Sequence, residues 1–173
     1  MRGFRDIKIP NTITFKYVTD KRDGKTIKRP RVEILLKNGD KVFRLVMLVD
    51  SGADTSFIPL EVAELLELKL GEVKKSRSAS GPFETTNSTC EIELVKRGNN
   101  IPLGQIPVVI PTKKIDDTDV SSYALLGRFP FFSFFDITFR ENSGKLILRK
   151  PKKKFNYKPP TSSIKEVKAV TKK

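Results

Sequence analysis

The segment MLVDSGADTSFIP, residues 47–59, places Asp50 directly after an apolar run that is typical of a buried strand. An unpaired carboxylate is costly to bury, so a chain either keeps it in water or retains it for chemistry. A carboxylate held at the end of a strand can act as a general acid or base. Asp-Ser-Gly tripeptides also occur in ordinary turns, so taken alone Asp50 has a second interpretation as a solvated turn residue.

The composition restricts which chemistry is open to this chain. Its 173 residues contain no His and a single Cys, Cys90. Catalysis by a Ser-His or Cys-His pair is therefore excluded, as is an internal disulfide, and a zinc site is disfavoured. We expect no metal and no cofactor, so a catalyst would depend on carboxylates.

The elements that would position Asp50 are mostly strands, because short β-branched and aromatic segments alternate with Gly, Pro, Asn and Asp. Residues 31–50 predict a hairpin that turns at Asn38-Gly39, a dipeptide that favours a type I′ turn. Its second strand ends at Asp50. The spacing of Val62, Leu65 and Leu66 then predicts a short helix.

The second half of the chain also predicts strands that end in loops. One strand is expected on each side of SASGPFETT, residues 78–86, which would join them. Leu125-Leu126-Gly127 reads as a buried strand end, followed by a short aromatic helix over Phe129–Phe135. A final hairpin, DITF to KLILR, is expected to turn at residues 142–144.

Two motifs in this order resemble the retropepsin-like aspartic proteases. The first is Val49-Asp50-Ser51-Gly52-Ala53, and the second is Leu125-Leu126-Gly127-Arg128 with the helix and hairpin that follow it. The resemblance extends from Val32 to Leu148. It implies a mostly β, retropepsin-like acid-protease β-barrel with one or two short helices and a single lobe per chain.

The resemblance also implies roles for individual residues. Asp50 would be the catalytic carboxylate, and Ser51, Gly52 and Ala53 would complete the active-site loop. Asp54 would contact substrate. In the second motif, Leu126, Gly127 and Arg128 would support the loop. Asp54 and Arg128 match two positions that pair with each other in retroviral members.

One departure from the retroviral pattern follows Arg128. Retroviral members commonly place Asp or Asn after Gly-Arg, whereas this chain has Phe129. Asp54 and Arg128 could equally form an ordinary structural ion pair with no role in substrate binding.

The segment between the two motifs occupies the place of the family's flap, a hairpin that closes over bound peptide. Ser80, Gly81, Pro82 and Phe83 are the substrate-binding candidates, with Phe83 as the large apolar side chain of the tip. The alternative is an ordinary hairpin turn whose Phe83 packs on its own sheet.

The chain contains one Asp-Ser-Gly, whereas acid proteases use two carboxylates that share a proton. The second carboxylate would come from an identical chain, so we expect a homodimeric aspartic endopeptidase acting on peptides or proteins. Two alternatives are a non-catalytic module of the same fold that dimerises or binds peptides, and a basic nucleic-acid-binding β domain.

The net charge of +14 is concentrated at one end of the chain. Residues 149–173 hold ten of the 34 basic side chains and one acid, Glu166. We therefore expect a protease domain over residues 1–149 and a basic, disordered tail over 150–173. The tail is either a weak contact for polyanions or a solubilising extension.

Three smaller expectations concern the remaining features. The acids Asp116, Asp117 and Asp119 are expected in a solvated loop rather than as metal ligands or a second catalytic carboxylate, and Cys90 is expected in the core as an inert thiol. The phenylalanines at 131, 132, 134 and 135 are expected to pack in the core rather than form a docking patch. No apolar run is long enough to span a membrane and no signal sequence precedes the domain, so we expect a cytoplasmic protein.

Overall fold

The computed structural model describes residues 11–22, 24–78, 81–114 and 123–152, which fold mostly as strands. The strands are β1 (Thr12–Lys16), β2 (Val18–Arg22), β3 (Lys25–Arg29), β4 (Arg31–Asn38), β5 (Lys41–Val49), β6 (Lys74–Ser78), β7 (Gly81–Lys96), β8 (Asn99–Pro111), β9 (Leu125–Leu126), β10 (Asp136–Arg140) and β11 (Lys145–Arg149). The helices are α1 (Leu60–Leu65) and α2 (Arg128–Phe134). The expectation of a mostly β, single-lobed chain with short helices is confirmed.

The largest sheet pairs β5 with a strand on each side. Its order is β6-β7-β4-β5-β9, and β8 pairs with β7. β5 and β9 are parallel, with Leu48 opposite Leu125 and Val49 opposite Leu126. Alternating side chains of β4, β5, β7 and β8 form the core, and the fully buried members include Ile34, Leu36, Met47, Ile92, Leu94 and Leu103.

The hairpin of β4 and β5 has a different turn from the one predicted. Asn38 pairs with Lys41, so the two loop residues are Gly39 and Asp40. Only Gly39 has a positive φ there, 56°. The prediction of a type I′ turn at Asn38-Gly39 is therefore wrong, because that turn needs positive φ at both central residues.

A separate three-stranded sheet brings the two ends of the described chain together. Its order is β1-β11-β10, with both outer strands antiparallel to β11. β1 ends at Lys16, and Tyr17 separates it from the β2–β3 hairpin. The Tyr17 hydroxyl donates to Glu141 at 2.8 Å, and burial together with this contact raises the pKa of Tyr17 to about 12.

Both helices are short and lie on the core. α1 begins after Pro59, buries Val62 and Ala63, and packs against β5 and β8. α2 packs against β8 and β10 and buries Phe131 completely. Phe135, at its end, is also buried, whereas Phe132 and Phe134 contact the core but stay partly exposed.

Several expectations fall outside the described residues. Asp116, Asp117 and Asp119 do so, as do residues 153–173, most of the predicted tail. The domain boundary after residue 149 stays a prediction. No described helix is long and apolar enough to cross a membrane.

Cys90 lies in the core, 2% exposed, and burial raises the pKa of its thiol to about 12. The thiolate is the reactive form, so native protein should react with iodoacetamide at pH 8 at least about 100-fold more slowly than protein unfolded in urea. A Ser143→Cys variant, which adds a thiol in an exposed turn, is the control and should react quickly at the new site. Rapid alkylation of native Cys90 would contradict its placement in the core.

Candidate active site

Asp50 is the first residue after β5, and the backbone fixes its position. Its N–H donates to the carbonyl oxygen of Leu126 at 3.1 Å, which continues the parallel pairing of β5 with β9. The Leu48 N–H donates to Ala124 in the same way at 2.9 Å. The side chain of Asp50 is half-buried, so the sequence pattern of a strand that ends on a carboxylate corresponds to a carboxylate at the rim of the core.

The loop after Asp50 folds back onto its carboxylate. The Gly52 N–H donates to Asp50 Oδ1 at 2.8 Å, and the Ala53 N–H is 3.4 Å from the Asp50 carbonyl oxygen. A Cβ at Gly52 would be 3.2 Å from the same Oδ1, so a side chain there would crowd the carboxylate. Ser51 and Gly52 are both exposed, which leaves this face of the loop accessible.

Residues 55–58 pass between β9 and β8. Phe57 and Leu125 exchange two backbone hydrogen bonds of 2.9 Å. On the other side, Ile58 donates to Val109 at 3.0 Å and Val109 donates to Ser56 at 2.9 Å. Residues 56–58 are therefore hydrogen-bonded on both sides, and the loop before them leaves Asp50 at the end of a strand that is itself paired with β9.

The tightest point of this crossing is Gly127. A Cβ on Gly127 would lie 2.2 Å from the carbonyl oxygen of Thr55 and 2.3 Å from its carbonyl carbon, which no side chain can do. The Gly127 N–H is 3.3 Å from Ser56 Oγ, and Ser56 is completely buried. Sequence reasoning assigned Gly127 to structural support but missed Thr55 and Ser56, which carry no motif of their own.

Gly127→Ala should lower the free energy of unfolding by at least about 2 kcal/mol, because the added methyl group overlaps the Thr55 backbone. Urea denaturation followed by circular dichroism measures this change. Gly71→Ala is the control, since its added Cβ would be 3.2 Å from a single carbonyl oxygen. Equal losses in the two variants would show that the crossing is not the tight point of the fold.

Asp54 and Arg128 meet as predicted, but their side chains form a weak pair. Arg128 Nη1 and Asp54 Oδ1 are 3.8 Å apart, and the side chains are 66% and 92% exposed. Such a pair contributes little to stability. The main chain holds the two segments together instead, because Arg128 N–H donates to Ala53 and Phe129 N–H donates to Asp54, both at 2.8 Å.

The predicted flap is the hairpin of β6 and β7. Ser78 pairs with Gly81, so the strands are joined by two residues, and Ser80 falls outside the described residues. Gly81 has φ +120° with open space around it, and Pro82 is exposed. Phe83 is half-buried and meets Phe57 edge to face, with ring centroids 6.3 Å apart. The hairpin thus contacts the segment that continues from the Asp50 loop.

Within the described ranges, no group of three or more His, Cys, Asp or Glu side chains is arranged to hold a metal ion. The described site offers the carboxylate of Asp50 for chemistry. One of its oxygens accepts from the Gly52 N–H, and the loop that follows is accessible on one face.

A family model for aspartyl proteases matches residues 32–128, from the start of β4 to the Gly127 crossing. The chain belongs to the aspartyl protease family. That match contains Val49–Ala53, Leu125–Arg128 and the whole β6–β7 hairpin, and it ends before the helix and hairpin that follow. Curated protein sequences gave no match.

One solved structure shares the fold of this member of the aspartyl protease family. A retropepsin-like aspartic protease from Rickettsia conorii is 19% identical, with a TM-score of 0.51 over 80% of this chain and 91% of that one. EIAV protease in complex with the inhibitor HBY-793 is 22% identical over 58% of this chain and 83% of that one, with a TM-score of 0.37. The first likeness identifies the fold as retropepsin-like, and at this identity it identifies the fold alone.

Proposed function

We propose that this protein is a homodimeric aspartic endopeptidase in which each chain supplies one Asp50 carboxylate. The observation that carries the proposal is the half-buried Asp50, held by Gly52 N–H at 2.8 Å at the end of β5, in a chain of the aspartyl protease family. The single lobe contains one such loop. A second copy related by a twofold axis would complete the pair.

The proposed chemistry needs only two carboxylates and water. Two carboxylates about 3 Å apart cannot both ionise, so they hold one proton between them. The ionised Asp50 takes a proton from a water whose oxygen attacks the peptide carbonyl carbon, and the protonated Asp50 donates its proton to the carbonyl oxygen. The tetrahedral intermediate then loses the amine, which leaves with a proton from the pair, while one hydroxyl of the intermediate gives its proton back to the pair and a carboxylic acid remains.

The other site residues would bind the peptide or the partner. Ser51 is exposed beside Asp50 and is proposed to hydrogen-bond across the dimer. Asp54 is 92% exposed and is proposed, with the hairpin tip at Gly81, Pro82 and Phe83, to contact the substrate. A cytoplasmic location and contact of the basic tail with polyanions stay predictions.

Asp50→Asn should fold and dimerise but lose at least about 1,000-fold in cleavage of an unbiased peptide library, because an amide cannot share the proton. Digests analysed by mass spectrometry measure the loss. Asp40→Asn makes the same chemical change in the exposed β4–β5 turn and should cleave normally. Wild-type cleavage by Asp50→Asn would refute the catalytic proposal, and a wild-type protein that cleaves nothing would favour the non-catalytic module.

Phe83→Ala should reduce kcat/KM about tenfold with little loss of stability, because a lid over the substrate loses its apolar contact. The loss of folding stability should be small because Phe83 is only half-buried, against Phe57. Ile27→Ala removes a partly exposed apolar side chain from the separate β2–β3 hairpin and is the control. Normal cleavage by Phe83→Ala, or its unfolding, would show that the segment is a structural turn.

A further inference from the structure

The sheet formed by β1, β11 and β10 has one face that packs on the core and one that faces solvent. Successive residues of a strand point to opposite faces. Ile13 and Phe15 of β1 and Leu146 and Leu148 of β11 are buried, so the residues that alternate with them point outward. The outward residues of the three strands are Thr12, Thr14, Lys16, Lys145, Ile147, Arg149, Asp136, Thr138 and Arg140.

Three basic side chains form a row at one end of this outward face. Lys145 pairs with Lys16 on one side and with Arg140 on the other, and all three are exposed. Neighbouring strands lie about 4.8 Å apart, so these three residues, here called the basic row, span about 10 Å. Lys28 of β3 lies close to the row, because its Cδ is 3.9 Å from the position of a Cβ on Gly144.

No carboxylate forms an ion pair with the basic row within the residues that the structure describes. Glu141 follows Arg140 in the chain, and its Oε1 accepts from the Tyr17 hydroxyl at 2.8 Å. The one acid among the outward residues, Asp136, lies opposite Arg149 at the other end of the strands. Like charges directly opposite one another destabilise a sheet, so the row carries a repulsion that an anionic partner would offset.

The rest of the outward face adds hydroxyls and a further cation. Thr14 and Thr138 are exposed and lie on either side of Ile147. Arg149 lies four residues beyond Lys145 on β11, a separation of about 13 Å in a strand. The major groove of a nucleic-acid duplex has a similar width, about 12 Å. Arginine, lysine and threonine are among the side chains that contact its phosphates.

The aromatic and apolar content of this face distinguishes between anionic partners. Proteins that bind single strands stack bases on aromatic side chains, and none of the outward residues is aromatic. Elements that lie on a membrane insert apolar side chains. Ile147, the large apolar side chain of this face, is only 7% exposed. A duplex that is contacted through its phosphates requires neither feature.

We propose that the outward face of the β1-β11-β10 sheet binds double-stranded nucleic acid through its phosphates, with the basic row on one strand of the duplex and Arg149 on the other. This surface contains none of the residues assigned to the candidate active site, and it belongs to the folded domain rather than to the tail. The inference goes beyond the proposed peptidase and does not depend on it.

The salt dependence of binding tests this contact, because each phosphate contact releases counterions. Full-length protein is titrated into a fluorescein-labelled DNA duplex of about 20 base pairs over a series of NaCl concentrations, and fluorescence anisotropy gives the affinity. Lys16→Gln combined with Lys145→Gln removes two contacts. The slope of log K against log salt should therefore fall by about 2, and the affinity at physiological salt by about tenfold or more.

Two further double variants separate the contact from net charge and from folding. Lys69→Gln with Lys113→Gln removes the same charge from exposed positions off this sheet and should keep the wild-type slope. Lys16→Arg with Lys145→Arg keeps both charges and should also keep the slope. Equal slopes in the two Gln pairs would overturn the proposal, because binding would then follow net charge or the tail. Equal losses in the Gln and Arg pairs at positions 16 and 145 would overturn it as well, because the lysines would then be structural.

A single-stranded oligonucleotide of the same length and vesicles that contain phosphatidylserine are the competing probes. The duplex should displace the labelled DNA at a lower phosphate concentration than either of them. Stronger competition by the single strand or by the vesicles would overturn the assignment to a duplex, and a wild-type protein that binds no duplex would overturn the surface altogether. Peptide cleavage by Lys16→Gln with Lys145→Gln should match wild type, so failure of this contact and failure of the proposed peptidase are seen in separate assays.

Discussion

The close passage of the Gly127 and Thr55 backbones is the constraint on which the rest of the site depends. No side chain fits at Gly127, because its Cβ would lie 2.2 Å from the Thr55 carbonyl oxygen. Backbone hydrogen bonds from Arg128 to Ala53 and from Phe129 to Asp54 then fix the two loops against each other. Because the contact is made by main chain, it does not depend on which side chain stands at Phe129.

The crossing explains how a small domain holds a carboxylate at the edge of its core. Asp50 takes its backbone partner from β9, and the loop beyond it is hydrogen-bonded to β9 on one side and β8 on the other. One carboxylate oxygen accepts from Gly52 at 2.8 Å, so the group is oriented before any substrate arrives. Preorganised geometry of this kind reduces the reorganisation needed during a reaction.

The chain contains one Asp-Ser-Gly, so the proposed chemistry with two carboxylates needs a second copy. The loop is exposed at Ser51 and Gly52, and Phe83 of the β6–β7 hairpin packs against Phe57.

The sequence by itself determined the fold class, the catalytic candidate and the order of the two motifs. Those depend on local signals: alternating apolar residues, turn dipeptides and an aspartate after a strand. The sequence misplaced the β4–β5 turn by one residue, at Asn38-Gly39 instead of Gly39-Asp40. The two turns differ in the register of the strands, which is decided only when β4 and β5 pair. Tertiary structure alone decided that Gly127 must be glycine, that Ser56 is buried and that Phe83 meets Phe57. Each of those facts is a contact between residues 26 to 72 positions apart, and local sequence patterns carry no information about which distant backbones will touch.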